Sequence, residues 1–227
     1  MFDKLFPNVG QYWPDFAQAT LDTIVMTVST VVIAGLIGIL LGLLLLSTSE
    51  EGLAPNRVIY VILDKIVDIG RAIPFIILLV VIIPFTRLLV GSSIGTAAVT
   101  VPIVVGTIPF FARMVQNTLL EVDSGVIEAA KAMGSSNLGI IFRVYLKEGL
   151  VPILRDLNFT TISIIGLTAM AGIVGGGGLG NMAVQYGYQR GANDVTFVAL
   201  VFVLLIVFVS QILGNLLIKL VLHGRKA

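Results

Sequence analysis

The sequence predicts an all-α integral membrane protein with five transmembrane helices per chain. Three observations carry that prediction. Of the 227 residues 57% are hydrophobic and only 12% charged, about half the roughly 25% charge of a typical soluble domain. Long apolar runs show no alternation, and the basic residues gather in alternate connections between those runs. At about 20 residues per spanning helix, the chain has room for five spans with short connections. That is too few helices to enclose a generous aqueous path, so an oligomer is expected.

Composition also excludes several function classes. There is no Cys, which removes disulfides, thiolate metal sites and cysteine nucleophiles, and the single His223 lies near the end. The net charge of +1 gives no concentrated basic face, so no nucleic-acid partner is expected.

The apolar stretches place spans at about 20–46, 58–86, 94–116, 149–174 and 195–222. Transmembrane β-strands would alternate lipid-facing and lumen-facing residues, whereas Ile37 to Leu46 is apolar on every side. The residues before the first span mix acids with aromatics, and the apolar run that follows exceeds a signal-peptide h-region, so this segment is expected to be retained. Phe6, Tyr12, Trp13 and Phe16 form either an interfacial aromatic anchor or an amphipathic lead-in. The second span is long enough only if it begins near Arg57 or Ile59, which makes Asp64, Lys65, Asp68 and Arg71 the polar cytoplasmic half of a tilted helix. Pro74, Pro84, Pro102 and Pro109 fall inside spans, where they kink helices.

Basic residues orient the chain. Arg57, Lys65, Arg71, Arg113, Lys131, Arg143, Lys147, Arg155, Lys219, Arg225 and Lys226 fall on one side of a five-span topology, against Lys4, Arg87 and Arg190 on the other. The positive-inside rule then puts the N-terminus outside and the C-terminus in the cytoplasm. It makes 117–148 the largest cytoplasmic loop and 175–194 an extracellular Gly-rich loop.

The cytoplasmic loop has its own helical grammar. Asp123 or Ser124 can N-cap a helix whose apolar stripe is Val126, Ile127, Ala130 and Met133, and Gly134 stands at its C′ position. Ser135 or Ser136 then caps a second short helix over Leu138 to Leu146, with Ile140, Ile141, Val144 and Tyr145 apolar. Two such helices present a compact knob. The short side chains of Ala129 and Ala130 admit a partner's groove, and Glu128 supplies a charge.

Glu128-Ala129-Ala130, three residues and then Gly134, with Val144 and Leu146 further on, resembles the EAA loop of ABC importer permeases, whose coupling helix docks into a cytoplasmic ATPase. Lys147 stands where a Pro commonly closes that motif. The resemblance extends through Arg71 to Leu79, Ile83 to Arg87, Pro109 to Val115, Gly177-Gly178-Leu179-Gly180 and Gln185 to Tyr188, which look like the permease of the methionine ABC importer family. It implies a type I ABC importer permease fold and a homodimer with two cytoplasmic ATPase subunits. An extracytoplasmic methionine-binding lipoprotein and methionine as cargo, with D-methionine, derivatives or methionine-containing peptides as variants, are implied too. ATP and Mg would be bound by the ATPase, no cofactor or metal is expected in this chain, and the chain itself is not an enzyme. The implied location is the bacterial cell membrane.

Several residues are candidates for roles inside that frame. ATPase coupling falls to Glu128, Ala129, Ala130, Met133 and Gly134. Asn158, Thr161, Ile165 and Thr168 share a face of span four with Met170 beside it, as a pore-lining face would for an amphiphile with a soft apolar side chain; helix–helix hydrogen bonding is the other reading. Arg71, beside Pro74 and one turn after Asp68, is an ion-pair partner, an anchor at the cytoplasmic interface or a contact for substrate carboxylate. Gly175 to Gly180 formally contains GxGxxG but has no preceding strand and no Lys-Ser/Thr. Gly177, Gly178 and Gly180 are therefore expected to allow a tight turn and close packing. Arg155 and Asp156 are expected to snorkel at the entry to span four.

An ion-coupled secondary transporter is the competing class, and a permease for another small amino acid is the competing cargo. Ion-coupled carriers usually need ionisable groups at the midplane, and the centres of spans one, three, four and five have none. Deleting Gly125 to Met133 separates the two classes. An ABC permease loses its ATPase and its transport, whereas an ion-coupled carrier still transports.

Overall fold

In the computed structural model, which describes residues 6–224, the first apolar run forms one helix of 40 residues, α1 (Val9–Thr48). It begins well before the expected span, so Tyr12, Trp13 and Phe16 belong to the helix itself. Lys4, Arg225 and Lys226 of the charge count lie outside the described residues. Four helical stretches are long and apolar enough to cross a membrane: Val9–Thr48, Thr96–Leu120, Asn137–Gly172 and Asn193–His223. No strand occurs among the described residues.

The expected second span is the exception. It is divided into α2 (Arg57–Ala72), α3 (Phe75–Val81) and α4 (Ile83–Val90). Asn56 caps α2 by accepting from the Ile59 amide. The residue before a proline is pushed out of the helical region, and Ile73, at ψ 120°, ends α2 just before Pro74. Pro84 sits in the first turn of α4, where a missing N–H costs nothing. By contrast, α5 (Thr96–Leu120) runs unbroken through Pro102 and Pro109.

Two further connections differ from expectation. The second loop helix does not stop: α7 (Asn137–Ile140) passes through a π-helical stretch, Ile141–Tyr145, directly into α8 (Leu146–Gly172). With Lys147 in place of a proline, nothing interrupts the backbone. Residues 175–194 are not a loop either, because α9 (Gly178–Asn181) and a second π stretch, Met182–Tyr188, fill most of them before α10 (Asn193–Gly224).

The chain divides into two compact units. One comprises the residues up to Ile33, Pro74–Gly106 and Thr161–Ile212, and the other comprises Ala34–Ile73, Thr107–Thr160 and the residues from Leu213 on. In the first unit, Val9, Phe16 and Ala19 of α1 pack with Leu179, Met182 and the start of α10. Met26, Leu79, Val99, Ile103, Ile164 and Ala171 form a second core. Asn8 ties the start of α1 to the start of α10, its backbone and side-chain N–H groups donating to the two Asp194 oxygens at 2.8 and 2.9 Å.

In the second unit, Leu43, Leu46, Phe111, Val115, Leu119, Ala130, Ile140, Tyr145 and Ile153 form one core. Its closest approach is between α1 and α5. A Cβ on Gly38 would lie 2.8 Å from the Phe111 ring, and one on Gly42 would lie 2.8 Å from the Ala112 carbonyl oxygen. This small-xxx-small spacing lets helix backbones meet in lipid, where apolar area alone does not drive association. Gly42→Leu is expected to lower unfolding stability by about 1–3 kcal/mol through overpacking, measured as a lower melting temperature of the detergent-solubilised protein, with Gly10→Ala, which meets nothing within 4 Å, as the unaffected control.

Candidate coupling surface and transport face

The loop helix α6 (Ser124–Ala132) is built by its caps. Asp123 accepts from the Gly125 amide at 2.7 Å. At the other end Gly134 adopts φ +77°, the Ser135 amide reaches back to the Ala130 carbonyl at 3.1 Å, and the Gly134 amide reaches Lys131. A left-handed residue at that position favours glycine. Ser136 opens α7 by accepting from Gly139, and the Asn137 amide side chain donates to the Leu53 carbonyl at 2.8 Å.

These bonds fix which residues face outward. Ala130 is buried in the unit's core, so it seats the helix and does not admit a partner. Glu128, Ala129, Met133 and Gly134 are exposed. Val126 (45% exposed), Met133 (79%), Leu138 (67%) and Phe142 (66%) add large apolar groups to the same loop. Exposed apolar groups gathered this way mark an interaction surface.

The glycine run packs inward. A Cβ on Gly180 would lie 2.2 Å from the Ala169 carbonyl oxygen, and one on Gly172 would lie 2.3 Å from the Asn181 nitrogen. The return segment is thus pressed onto the end of α8. Gly177 and Gly178 take φ of 74° and 73°, and the Leu179 amide donates to Thr23 Oγ1 at 2.9 Å, which itself donates to the Ala19 carbonyl. That buried anchor on α1 carries no sequence motif.

On α8 the expected polar face comes apart. Thr168 is buried and donates to the Ile165 carbonyl at 2.7 Å, so its hydroxyl serves its own helix. Ile165 is buried as well, and Thr161 is half-buried. Asn158 donates to Asn215 at 3.4 Å, with Gly214 against its amide, a helix–helix contact. Met170 is 39% exposed and aligns instead with exposed Ser163, Gly166 and Ile173, the four following one another at steps of three, four and three residues along one helix face. Asp156 does not simply snorkel, since Thr118 Oγ1 donates to its carboxylate.

Arg71 pairs with Asp68 only loosely, at 3.8 Å. The tighter cluster centres on Arg113, which pattern reading missed as a site. Its guanidinium donates to Asp64 at 2.7 Å, to Asp68 at 2.9 Å and to Gln116 at 2.8 Å. Asp64 and Asp68 stand one turn apart on α2, and Arg113 is a cation in an apolar run, which together were the available signal.

The family described as the binding-protein-dependent transport system inner membrane component matches residues 34–223. The chain belongs to this family. It is 44% identical to the methionine import system permease protein MetP of Bacillus subtilis, over 97% of this chain and 99% of that protein. It is also 44% identical to the probable D-methionine transport system permease protein MetI of Pasteurella multocida, over 89% and 94% respectively. A solved structure of the MetNI methionine ABC transporter in inward-facing conformations matches with a TM-score of 0.90 at 39% identity, covering 93% of this chain and 98% of that one. Family membership displaces the ion-coupled carrier reading.

Thr23→Val is expected to cost about 1–3 kcal/mol, because the Leu179 amide loses its buried acceptor. A drop in melting temperature with the secondary structure unchanged by circular dichroism checks it.

Proposed function

We propose that this chain is the membrane permease of an ATP-driven importer for methionine. Two copies form the path, two cytoplasmic ATPase subunits drive it, and an extracytoplasmic lipoprotein delivers L-methionine, with D-methionine or derivatives as further cargo. ATP and its Mg ion bind to the ATPase, and the permease performs no covalent chemistry. Relatives carrying the methionine name over nearly the whole chain support the cargo. The chain lies in the bacterial cell membrane with its N-terminus outside and its C-terminus in the cytoplasm.

The observation that carries the coupling role is the division of α6 into a buried and an exposed face. Ala130 anchors the helix to the core beneath it, while Glu128, Ala129 and Met133 project from a loop rich in exposed apolar groups. An ATPase cleft receiving that face would move the core through Ala130 without needing to unfold the loop. Gly134, Arg71 and Pro74 act as structural or gating positions, and Gly177, Gly178 and Gly180 hold the return segment. For the pathway the exposed line through Met170 is the favoured face; of Asn158, Thr161 and Thr168, none is as exposed.

Vesicles holding this chain with its ATPase and binding lipoprotein should accumulate labelled L-methionine only when ATP is supplied. Accumulation of a different amino acid in its place overturns the cargo. Met133→Glu should reduce ATPase co-purification by about tenfold or more while changing stability by under about 0.5 kcal/mol, as surface substitutions do. Undiminished assembly would remove α6 from the docking surface.

A further inference from the structure

We propose that the cleft between the turn after α1, the start of α2 and the end of α5 is a binding site for a free zwitterionic amino acid, on the side where import releases its cargo. The inference deepens the amino-acid permease reading above and rests on it, the cytoplasmic placement of this end included. The cleft has a volume of about 770 Å³, within the roughly 300–1,000 Å³ of small-molecule sites. Its wall after α1 is already braced. The Gly52, Ala54 and Asn56 amides donate to the Ser49, Ser47 and Thr48 carbonyls at 3.0, 2.9 and 3.0 Å, and a Cβ on Gly52 would run into the Ser47 carbonyl. A wall ordered beforehand spares a ligand the entropy of ordering it.

The charges of the cleft select the ligand. Glu50, Glu51 and Arg57 all line it, yet none of the three makes an ion pair or a side-chain hydrogen bond among the described residues. Both signs therefore face one space without closing on each other. An anion alone would meet two carboxylates, and a cation alone would meet the guanidinium. A zwitterion satisfies all three, its ammonium held by Glu50 and Glu51 and its carboxylate by the planar donor fork of Arg57. Asn56 accepts from the Ile59 amide at 3.1 Å, so the positive end of α2, with its remaining N–H groups, falls on the same side as Arg57. Tyr60, Val61 and Leu120 add an apolar wall for a side chain such as a thioether; Val61 is 45% and Leu120 56% exposed. A phosphatidylethanolamine headgroup carries the same two signs, and the experiment separates the two sources.

The test uses the complete permease–ATPase complex in phosphatidylcholine nanodiscs without nucleotide, probed with photo-methionine, a diazirine analogue that crosslinks where it binds. Crosslinks should fall within residues 48–61 of the permease, and L-methionine should compete them away. Methionine amide, which lacks the carboxylate, and N-acetylmethionine, which lacks the ammonium, should each compete about tenfold or more worse. Arg57→Gln should remove the discrimination against the amide, with Arg57→Lys restoring part of it. Glu50→Gln combined with Glu51→Gln should instead remove the discrimination against N-acetylmethionine. Val61→Trp, which fills the cleft without altering a charge, should lower crosslinking about tenfold or more. Crosslinks that avoid 48–61, or analogues that compete as well as methionine, overturn the proposal. So does crosslinking that disappears when phosphatidylethanolamine replaces part of the phosphatidylcholine, which assigns the cleft to a lipid headgroup. Loss of the ATPase from the complex in Arg57→Gln overturns it too, by assigning the cleft to the ATPase contact. If the unaltered complex with its lipoprotein imports no methionine, the function falls; if import is normal and the cleft takes no crosslink, only this inference falls.

Discussion

Close backbone approach is the constraint on which the structure depends. In a bilayer, lipid tails are as apolar as leucine, so helices gain little from burying apolar area against one another and must instead fit. Gly38 and Gly42 let α1 lie directly on Phe111 and Ala112 of α5, and Gly70 brings α2 onto Pro109. Elsewhere Gly172 and Gly180 press the return segment against the end of α8. Hydrogen bonds and charges are arranged around these contacts.

The polar groups follow a matching rule. Without water in the hydrocarbon core, a hydroxyl must find a protein acceptor, and the cheapest one is the carbonyl a turn earlier on its own helix. Thr23, Thr27, Thr100, Thr160 and Thr168 all use it. Charges have no such local remedy. Hence Arg113 recruits two aspartates from another helix.

Much of this was legible in the sequence. Apolar length found the four helical stretches long and apolar enough to cross a membrane, and capping chemistry placed the start of α6 to within one residue and its end at Gly134, because Asp123 and Gly134 act through local bonds that spacing alone encodes. Ala130 was misplaced as an outward residue because periodicity gives a face but not which side of it meets the core. The expected face through Asn158, Thr161 and Thr168 failed for a related reason: polarity in a span does not distinguish a hydroxyl bonded to its own backbone from one lining a path. The segment 175–194 read as a loop because glycine signals turns and tight packing alike, and only tertiary contacts separate the two. Arg113 was signalled only as a cation in an apolar run opposite a pair of aspartates one turn apart, and Thr23 not at all, because their partners lie far away in sequence.

The π-helical stretch Ile141–Tyr145 has a bearing on how this chain should be compared with others. A π turn holds one residue more than the α turn it replaces, so α7 and α8 keep their faces only when that extra residue is counted. A related chain with a plain α-turn there would be shorter by one residue at this place while preserving the packing on both flanks. An alignment forced through without a gap would then pair exposed Phe142 with positions that belong beside buried Ile140 or Tyr145. The right place for such a gap is set by the backbone, inside a helix, where insertions are ordinarily least expected.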